Sequence, residues 1–516
     1  MLQHSDKNAL SFTRTNALIS KLLNYMHDIA NLHAINDLLD WDQNTFMPEG
    51  AGEMRGIQMA TLEGLLHERW INPQLRDILY KLEEIVGQEA FTDADRALVR
   101  ETRHHYDYKF KLPQNLVMEM ARTQASAFEA WRRAKEQNDF AIFAPLLEKT
   151  VTLQKDAADR VGYVSTRYDA LLGKYEPTLT ASKVEALFEP VREVSVSLLK
   201  SIIESNNIID VSCLKGNFSV HEQMILCNRI LHDIGYNLSY GSVSQSLHPS
   251  MTTLGSPFDV RITISPDEKL ISTALMAALH EGGHALYEQG SASELAYTPV
   301  VGGASIGMHE SQSHLWENAI GRSEAFWKGH FATVKETFPD QFAHVDATTF
   351  AYALNNVRPS CIRIEADEVT YNLHIIIRFE LEKALINGEV AIESLPRLWN
   401  DKYYEYLGIR PVNDIEGVLQ DIHWTSSFGY FPTYTLGNLY AAQIYHTLRK
   451  TFNNFDEQLA VGNTSFALTW LLKNVYVVGA TYEPEELIKH LTNEELNPNY
   501  FTHYLIDKFR KIYNLP

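Results

Sequence analysis

Cysteine and positive charge are both scarce in this sequence. Its 516 residues include only three cysteines, which lack the spacing of metal ligands and are too few for a disulfide framework, so we expect free thiols in a reducing compartment. Against 65 aspartates and glutamates there are 45 lysines and arginines, which gives a formal net charge of −20. Nucleic acids and anionic membrane surfaces both require a basic protein surface, so this balance argues against either as a partner.

Long hydrophobic runs are missing as well. No stretch reaches the roughly 18 consecutive apolar residues that indicate a membrane-spanning helix. The N-terminal segment MLQHSDKNALSFTRTNALISK has neither the apolar stretch nor the small-residue cleavage pattern of a signal peptide. The sequence therefore predicts a cytoplasmic protein that does not cross the membrane.

Low-complexity tracts, internal repeats and linkers rich in glycine, serine or proline are also absent, whereas helical periodicity is widespread. Because no linker divides the periodic segments, we predict one domain over residues 1–516 that forms a single large helical body. Apolar residues recur at three- and four-residue spacing in segments 15–38, 52–69, 74–87, 92–110, 114–137, 141–164, 181–205, 219–235, 343–355, 362–386 and 435–451.

One short region alternates between apolar and polar residues instead. In FDVRITIS, residues 258–265, Phe258 begins an apolar face, whereas Asp259, Arg261 and Thr263 belong to the polar face. This alternation predicts a half-buried strand. The turn-rich HPSMTTLGSP precedes it, so we predict a mainly α fold with a small antiparallel β-sheet beside the next helix.

The helix after this strand has well-defined predicted ends. Ser265 can cap it, Pro266 suits the first helical position, and Glu268 completes a capping box. Gly290 is a suitable residue for its C-terminal end.

Two glycines interrupt the middle of this helix, and each costs about 1 kcal/mol relative to alanine. They belong to His280-Glu281-Gly282-Gly283-His284, an H-E-x-x-H motif. Histidines at i and i+4 can bind one zinc ion, and the glutamate between them can take a proton from the bound water. We expect Gly282 to admit a close neighbour at the back of the helix. We expect Gly283 to leave room near the metal for substrate or a neighbouring strand.

A catalytic zinc site needs a third protein ligand in addition to water. The segment GGASIGMHESQSHLWEN, residues 302–318, offers His309, Glu310, His314 and Glu317. Glu310 would complete a site of two histidines and one glutamate if a second helix returns past the first. No H-x-x-G-x-x-H continuation follows the motif, so a three-histidine site is disfavoured.

A polar stripe on the predicted helix over 362–386 allows two interpretations. It is either an ion-pair ladder or the wall of a cleft, in which an arginine can bind a carboxylate through two hydrogen bonds. The stripe consists of Arg363, Asp367, Thr370, His374 and Arg378.

The aromatic segment over 417–438 also allows two interpretations. It combines His423, Trp424, Tyr430 and Tyr434 with several glycines. The aromatic residues could form a core, but a histidine or tyrosine on a glycine-rich loop could also donate a hydrogen bond to an oxyanion.

Several short strings in this sequence together resemble the carboxypeptidase Taq family of zinc metallocarboxypeptidases. The likeness extends from about residue 15 to residue 516, and the strings occur in the family's order. They are WDQNTFMPEGAGEMRGIQ (41–58), DVRIT (259–263), HEGGH (280–284), HES (309–311), IRIEADEVTYNLHIIIRFE (362–380) and GVLQDIHW (417–424).

The resemblance implies a mostly helical body with a deep active-site groove, a small sheet beside the zinc helix, and a homodimer. It implies release of single residues from peptides with a free C-terminus, with broad side-chain tolerance. It assigns a role to each residue that matches a family motif. The metal ligands are His280, His284 and Glu310, and the general base is Glu281. Arg363 binds the terminal carboxylate of the substrate, Asp259, Arg261 and Thr263 lie on the strand beside the substrate, and His423 and Tyr434 bind substrate or the oxyanion.

Metal-assisted hydrolysis is the reaction that these residue types predict, with one zinc ion per chain that Co²⁺ can replace. An endopeptidase or a dipeptidyl carboxypeptidase could use the same kind of site. A peptide-binding protein that keeps zinc without turnover would have no need of Glu281. A purely structural zinc usually has four cysteine or histidine ligands.

Overall fold

The structure is a computed structural model that describes residues 10–516. Helices make up 67% of it, so the predicted mainly α class is confirmed. Within the described range, no helix is long and apolar enough to span a lipid bilayer.

The α-helices follow one another along the chain, and three short strands lie between the ninth and the tenth. The helices are α1 (Ala17–Thr45), α2 (Gly52–Trp70), α3 (Pro73–Glu83), α4 (Asp93–Lys111), α5 (Gln114–Gln137), α6 (Ala144–Val161), α7 (Arg167–Leu172), α8 (Ala181–Ser205), α9 (Val220–Ile234), α10 (Ile271–Gly290), α11 (Ile306–His314), α12 (Glu324–Thr337), α13 (Ala347–Leu354), α14 (Tyr371–Asn387), α15 (Leu395–Leu407), α16 (Pro432–Thr451), α17 (Phe455–Ala460), α18 (Ser465–Leu471), α19 (Pro484–Thr492) and α20 (Asn499–Tyr513). The strands are β1 (Val243–Gln245), β2 (Ser250–Thr253) and β3 (Val260–Ile264).

The described chain divides into two compact units, each built from three stretches of sequence. The first unit holds the sheet, α1–α3, α9–α13 and α17–α19, and the second holds α5–α8, α14, α15 and α20. That the whole chain acts as one domain stays a prediction. The first unit comprises the described residues up to Lys109, Ile209–Leu354 and Tyr440–Leu496, and the second comprises Phe110–Ile208, Asn355–Leu439 and Asn497–Pro516.

Apolar residues that recur with helical periodicity form the core of the first unit. In α1, the buried residues Ile19, Leu22, Leu23, Met26 and Ile29 recur at the predicted spacing and pack in one apolar cluster with residues of α3 and α4. Burial of one such aliphatic side chain stabilises the folded state by about 1.5–3 kcal/mol relative to leaving it exposed to water.

The sheet is mixed rather than wholly antiparallel. Its order is β1-β3-β2, in which β2 pairs antiparallel with β3 and β1 pairs parallel with it. The chain reverses direction after β1 and again after β2, so β1 and β3 point the same way. The central strand also starts later than predicted. Phe258 is 52% exposed because residues 254–259 form the turn into β3, in which Leu254 N–H donates to the Asp259 carbonyl oxygen.

The predicted start of α10 is wrong, whereas its predicted end at Gly290 is confirmed. The helix begins at Ile271, and no side chain caps it. The residues before it pair with another segment of the first unit: Phe218 N–H donates to the Glu268 carbonyl oxygen, and Gly216 N–H donates to that of Lys269. Because these carbonyl oxygens accept from another segment and not from the next helical turn, the chain is not helical before Ile271, so Ser265 and Glu268 do not form the predicted capping box.

Both glycines in the middle of α10 lie against neighbouring helices. A Cβ atom on Gly282 would be 2.7 Å from Leu231 Cδ2 of α9, so the expected close neighbour at the back of the helix is confirmed. A Cβ atom on Gly283 would be 2.4 Å from the Gln312 carbonyl oxygen of α11. The expectation that Gly283 leaves room for substrate or a strand is therefore wrong, because the space holds the main chain of α11.

Candidate metal centre

Two neighbouring helices of the first unit, α10 and α11, bring together three of the predicted metal ligands. His280 and His284 lie one turn apart on α10, and α11 places Glu310 opposite both. Glu310 Oε1 is 3.6 Å from His280 Nε2, and Glu310 Oε2 is 3.5 Å from His284 Nε2. Two ligand atoms that are each about 2.1 Å from a tetrahedral zinc ion lie about 3.4 Å apart. Both distances therefore match the separation of two ligand atoms around one zinc ion.

Glu310 also has the surroundings of a metal ligand. Its Oε1 atom is shielded from solvent and accepts no hydrogen bond from the described residues. Burial favours the neutral acid, but the hydrogen bond with His284 and the charges of His280 and His314 outweigh it and hold the pKa of Glu310 well below its usual range. A buried carboxylate that stays ionised needs a positive partner, and a divalent cation would provide it.

His314 is a further nitrogen donor at this centre. It lies one turn after Glu310 on α11, with its Nε2 atom 3.2 Å from Glu310 Oε1. Donor atoms of His280, Glu310 and His314 all lie within 4.8 Å of one another, so this trio competes with the predicted set that contains His284. We favour the predicted set, because His280 and His284 share the register in which Glu281 stands beside the metal.

A carboxylate fixes the other ring nitrogen of His280. His280 Nδ1 is 2.9 Å from Glu317 Oε2, and Arg322 Nη2 donates to Glu317 Oε1 at 2.8 Å. Burial opposes ionisation of both partners. Even so, their hydrogen bond and the neighbouring charges raise the pKa of His280 to about 10 and lower that of Glu317 to about 2. Since the carboxylate can only accept, His280 donates from Nδ1, and a metal ion that displaces the proton on Nε2 would bind at that nitrogen, which faces Glu310.

The other ring nitrogen of His284 contacts a second histidine. His284 Nδ1 is 2.6 Å from His309 Nδ1, and His309 Nε2 is 2.9 Å from Glu288 Oε1. His309 is thus not turned toward Glu310 but stands behind His284. The predicted third-ligand segment therefore supplies the candidate ligand Glu310 and the competing donor His314. Its other two polar residues, His309 and Glu317, each contact a histidine of α10.

Glu281, the predicted base, is buried between these groups with 7% of its surface exposed. Burial raises its pKa to about 7, the charges of Glu310 and Glu317 add to this effect, and His280 opposes it. A carboxylate that titrates near neutral pH is suited to accept a proton from water and return it later.

The polar face of β3 is occupied by pairs within the first unit. Arg261 donates to both oxygens of Asp259, at 2.8 and 2.9 Å, and its guanidinium lies 4.4 Å from the ring centroid of Trp41. Thr263 is buried, contrary to its predicted place on a polar face, and its Oγ1 atom is 2.9 Å from Ser250 Oγ. The substrate-side role of these residues stays a prediction.

In the second unit, the predicted helix over 362–386 is interrupted. Arg363 lies in a separate turn of 3₁₀ helix (Arg363–Glu365), and α14 begins only at Tyr371. The break comes from Asp367, whose carboxylate accepts hydrogen bonds from the backbone N–H groups of Val369 and Thr370. Such local acceptance competes with a continuous helical backbone.

Two arginines of the predicted polar stripe converge on Asp421. Arg363 donates to Asp421 Oδ1 through Nε at 3.1 Å and Nη2 at 2.9 Å, and Arg378 donates to Oδ2. Burial alone would raise the pKa of Asp421, but Arg378 and Arg363 hold it well below its usual range. The ion pairs thus join two separate segments of the second unit, so the stripe is not an intrahelical ladder.

His423 and Tyr434 lie near Arg363 within the same unit. The Arg363 guanidinium is 5.4 Å from the ring centroid of Tyr434, and the rings of His423 and Tyr434 are 6.3 Å apart. Burial lowers the pKa of His423 to about 4, against the influence of Asp421 and with help from both arginines. At neutral pH the imidazole is therefore neutral and can donate one N–H. The predicted substrate-side residues of this unit do form one cluster.

Comparison with known proteins identifies the family. Residues 21–509 match the family model described as carboxypeptidase Taq (M32) metallopeptidase. The chain belongs to this M32 family. It is a metallocarboxypeptidase, and the resemblance inferred from the sequence strings is confirmed.

Individual M32 relatives are similar over nearly the whole chain. Carboxypeptidase 1 of Bacillus subtilis (strain 168) is 37% identical over 502 residues, which cover 96% of this chain and 98% of that protein. Thermostable carboxypeptidase 1 of Thermus thermophilus is also 37% identical, over 96% of this chain and 99% of its own length. The crystal structure of the M32 carboxypeptidase from Deinococcus radiodurans R1 matches with a TM-score of 0.93 at 34% identity, covering 97% of this chain and 100% of that chain.

Sequence reasoning missed three acidic residues that support the site residues of this M32 protein. They are Glu288 behind His309, Asp421 between two arginines, and Glu382, which accepts from Trp424 Nε1 at 3.0 Å and Gly429 N–H at 3.1 Å. Glu288 had a usable pattern, since it follows His284 by one helical turn. The partners of the other two come from distant segments, so no local spacing could have revealed them.

Proposed function

We propose that this metallocarboxypeptidase releases single residues from the free C-termini of peptides, with one zinc ion held by His280, His284 and Glu310. The observation that carries the proposal is the position of Glu310, 3.6 and 3.5 Å from the Nε2 atoms of the two histidines. Held by these three residues, a zinc ion would supply a water of lowered pKa and would polarise the carbonyl of the scissile bond.

Glu281 is the group that we propose to move the proton. It follows His280 on α10, and its carboxylate makes no hydrogen bond with the described residues that would hold it away from a bound water. Its carboxylate accepts a proton as water attacks the carbonyl carbon, and it returns that proton to the nitrogen of the leaving residue. One C–N bond breaks, one C–O bond forms, and the products are a shortened peptide and a free amino acid.

Arg363 is our candidate for recognition of the terminal carboxylate. Its Nε and Nη2 atoms are engaged by Asp421, and Nη1 makes no hydrogen bond with the described residues. A guanidinium held in this way is pre-oriented and keeps one edge for a further carboxylate. We propose that His423 or Tyr434 donates a hydrogen bond to the oxyanion, and that the Asp259–Arg261 pair and Thr263 support the substrate-side strand.

The decisive experiment compares two peptides that differ only at the C-terminus, one with a free carboxylate and one amidated. The zinc-loaded enzyme is incubated with each, and products are followed by mass spectrometry. We expect stepwise loss of single residues from the free peptide and none from the amidated peptide. Equal internal cleavage of both would support an endopeptidase, and release of dipeptides would support a dipeptidyl carboxypeptidase.

Substitutions at Glu281 and Arg363 test the proposed general base and the proposed carboxylate-binding group separately. Glu281→Gln should keep zinc binding and lose about 10²–10⁴-fold in kcat, the usual contribution of a general base. Arg363→Lys keeps the charge but not the planar fork, so it should raise KM for free peptides more than it lowers kcat. Unchanged discrimination between free and amidated peptides in Arg363→Lys and Arg363→Ala would contradict the assigned role.

Four finer statements accompany this proposal and rest on the sequence and the family resemblance. They are broad side-chain tolerance, replacement of zinc by Co²⁺, a homodimer and a cytoplasmic location. A panel of peptides that differ only in the last residue tests the first, and activity after reloading with Co²⁺ tests the second. Light scattering coupled to size exclusion tests the dimer.

A further inference from the structure

A line of three side chains runs from the candidate ligand His284 to a carboxylate on the same helix. His284 Nδ1 contacts His309 Nδ1 at 2.6 Å, and His309 Nε2 contacts Glu288 Oε1 at 2.9 Å. His284 and Glu288 lie one turn apart on α10, whereas His309 comes from α11, next to Glu310. His309 therefore bridges two residues of α10 from outside that helix.

The hydrogen-bonding capacity of these groups determines where the protons lie. An ionised carboxylate only accepts hydrogen bonds, so His309 carries its proton on Nε2 and points it at Glu288. The Nδ1 atom of a neutral His309 then has a lone pair, and His284 must donate to it from its own Nδ1. His284 Nε2, the nitrogen that faces Glu310, would then offer its lone pair to a metal ion bound in place of the hydrogen bond between these two residues.

The surroundings of His309 and Glu288 are shaped to hold them. The ring of Tyr287 stacks on that of His309 at a centroid distance of 5.4 Å and an interplanar angle of 29°. A Cβ atom on Gly303 would lie 3.0 Å from His309 Cβ, and one on Gly302 would lie 2.7 Å from Glu288 Oε1. Both side chains fill space that only glycine leaves available.

We infer that Glu288 and His309 are positioning residues that fix the tautomer and ring orientation of His284 for zinc binding, an inference that rests on the proposed metal site. They do for His284 what Glu317 does directly for His280. The difference is that a second imidazole stands between the ligand and its carboxylate. Partners of this kind typically account for 10–100-fold in metal affinity.

The test measures the zinc dissociation constant of the purified full-length protein by competition with a chromophoric chelator. His309→Phe keeps a ring against Tyr287 but removes both nitrogens, and Glu288→Ala removes the acceptor. We expect each to weaken zinc binding by about 10–100-fold. Glu288→Gln keeps an acceptor oxygen and should retain more affinity than Glu288→Ala.

The contacts from Glu288 through His309 to His284 form what we call the relay. A double variant tests whether Glu288 acts through this relay or through a general effect on the structure. If Glu288 acts only through His309, adding Glu288→Ala to His309→Phe should cause no further loss of zinc affinity. The matched control is His330→Phe, because His330 is another buried histidine of the first unit with a carboxylate partner, Asp233, at 3.2 Å. That variant should bind zinc like the wild type.

The outcomes separate this inference from the function on which it rests. A wild type that binds no zinc would overturn the proposed metal site and the relay together. A wild type that binds zinc while His309→Phe and Glu288→Ala bind equally well would overturn the relay alone. The relay would also be overturned if the fold-loss of zinc affinity in the double variant equalled the product of the fold-losses in the two single variants. Melting temperatures of the metal-free variants report folding, and Glu288→Gln tests the relay if His309→Phe does not fold.

Discussion

Gly283 of α10 lies directly against the main chain of Gln312 in α11: a Cβ atom on Gly283 would be 2.4 Å from the Gln312 carbonyl oxygen and 2.8 Å from its carbonyl carbon. Gln312 is two residues after Glu310, so the same approach that brings these main chains together brings the Glu310 carboxylate to His280 and His284. The costly glycine in the middle of the motif is therefore explained by the position of the third candidate ligand.

Replacing Gly283 with alanine should damage both the fold and the metal centre. Backbone atoms of α11 cannot rotate away as a side chain can, so the new methyl group must push the two helices apart. We expect a loss of about 1–3 kcal/mol in the free energy of unfolding, typical of overpacking, and at least a tenfold weaker affinity for zinc. Chemical denaturation and chelator competition measure the two effects.

Gly282→Ala is the matched control for this variant. Its added methyl group would meet Leu231 Cδ2 at 2.7 Å and Ile234 Cδ1 at 2.9 Å, which are the ends of flexible side chains. Since alanine also favours the helix by about 1 kcal/mol, this variant should lose less stability and keep its zinc affinity. Equal loss of zinc affinity in both variants would contradict the importance of the α10–α11 contact.

Removal of the metal should lower stability, and the effect should depend on the ligand set. Zinc at about 100 times its dissociation constant stabilises a folded protein by about 2.7 kcal/mol. We expect the wild type to melt at a higher temperature when zinc-loaded than after chelation, and His284→Ala to lose this difference. His314→Ala should keep most of it, and the opposite ranking would favour the trio of His280, Glu310 and His314.

Asp421 should contribute to stability at neutral pH and lose its contribution in acid. Its folded pKa is held below the ordinary 3.8 because Arg378 and Arg363 outweigh its burial. A depressed pKa contributes stability that is present above the unfolded pKa and is lost as pH falls through the folded value. The stability difference between the wild type and Asp421→Asn should therefore stay constant down to about pH 4 and narrow below it.

Glu382 should show the opposite pH dependence. Burial raises its pKa to about 8 from the ordinary 4.5, although Gly429 N–H, Tyr168 and Trp424 donate hydrogen bonds to it. A raised pKa contributes stability that is present below the unfolded value and is lost as pH rises through the folded value. Relative to the wild type, Glu382→Gln should gain stability between about pH 4.5 and 8 and then level off. Denaturant midpoints measured across this range test the expectation, and a flat difference would contradict it.

Prediction from the sequence was most accurate where the pattern is local. The helical class, the end of α10 at Gly290, the buried face of β3 and the H-E-x-x-H motif all depend on residues within a few turns of one another. Prediction failed where hydrogen bonds with other parts of the backbone determined the local structure. Residues 215–218 pair with the segment that should have capped α10. Asp367 interrupts the helix that the apolar periodicity predicts over 362–386, because its carboxylate accepts hydrogen bonds from nearby backbone N–H groups, and α14 starts only at Tyr371.

The sequence by itself determined the chemistry of this protein, because residue types and their spacing on one helix decide which groups can share a metal ion. It also determined the family, since six short strings occur in one order. Only the tertiary structure decided which element fills the space beside Gly283, which group each ring nitrogen of His280 and His284 contacts, and which acid supports each site residue. Those relationships join segments far apart in the chain, and only the packing of helices brings their atoms within hydrogen-bonding distance.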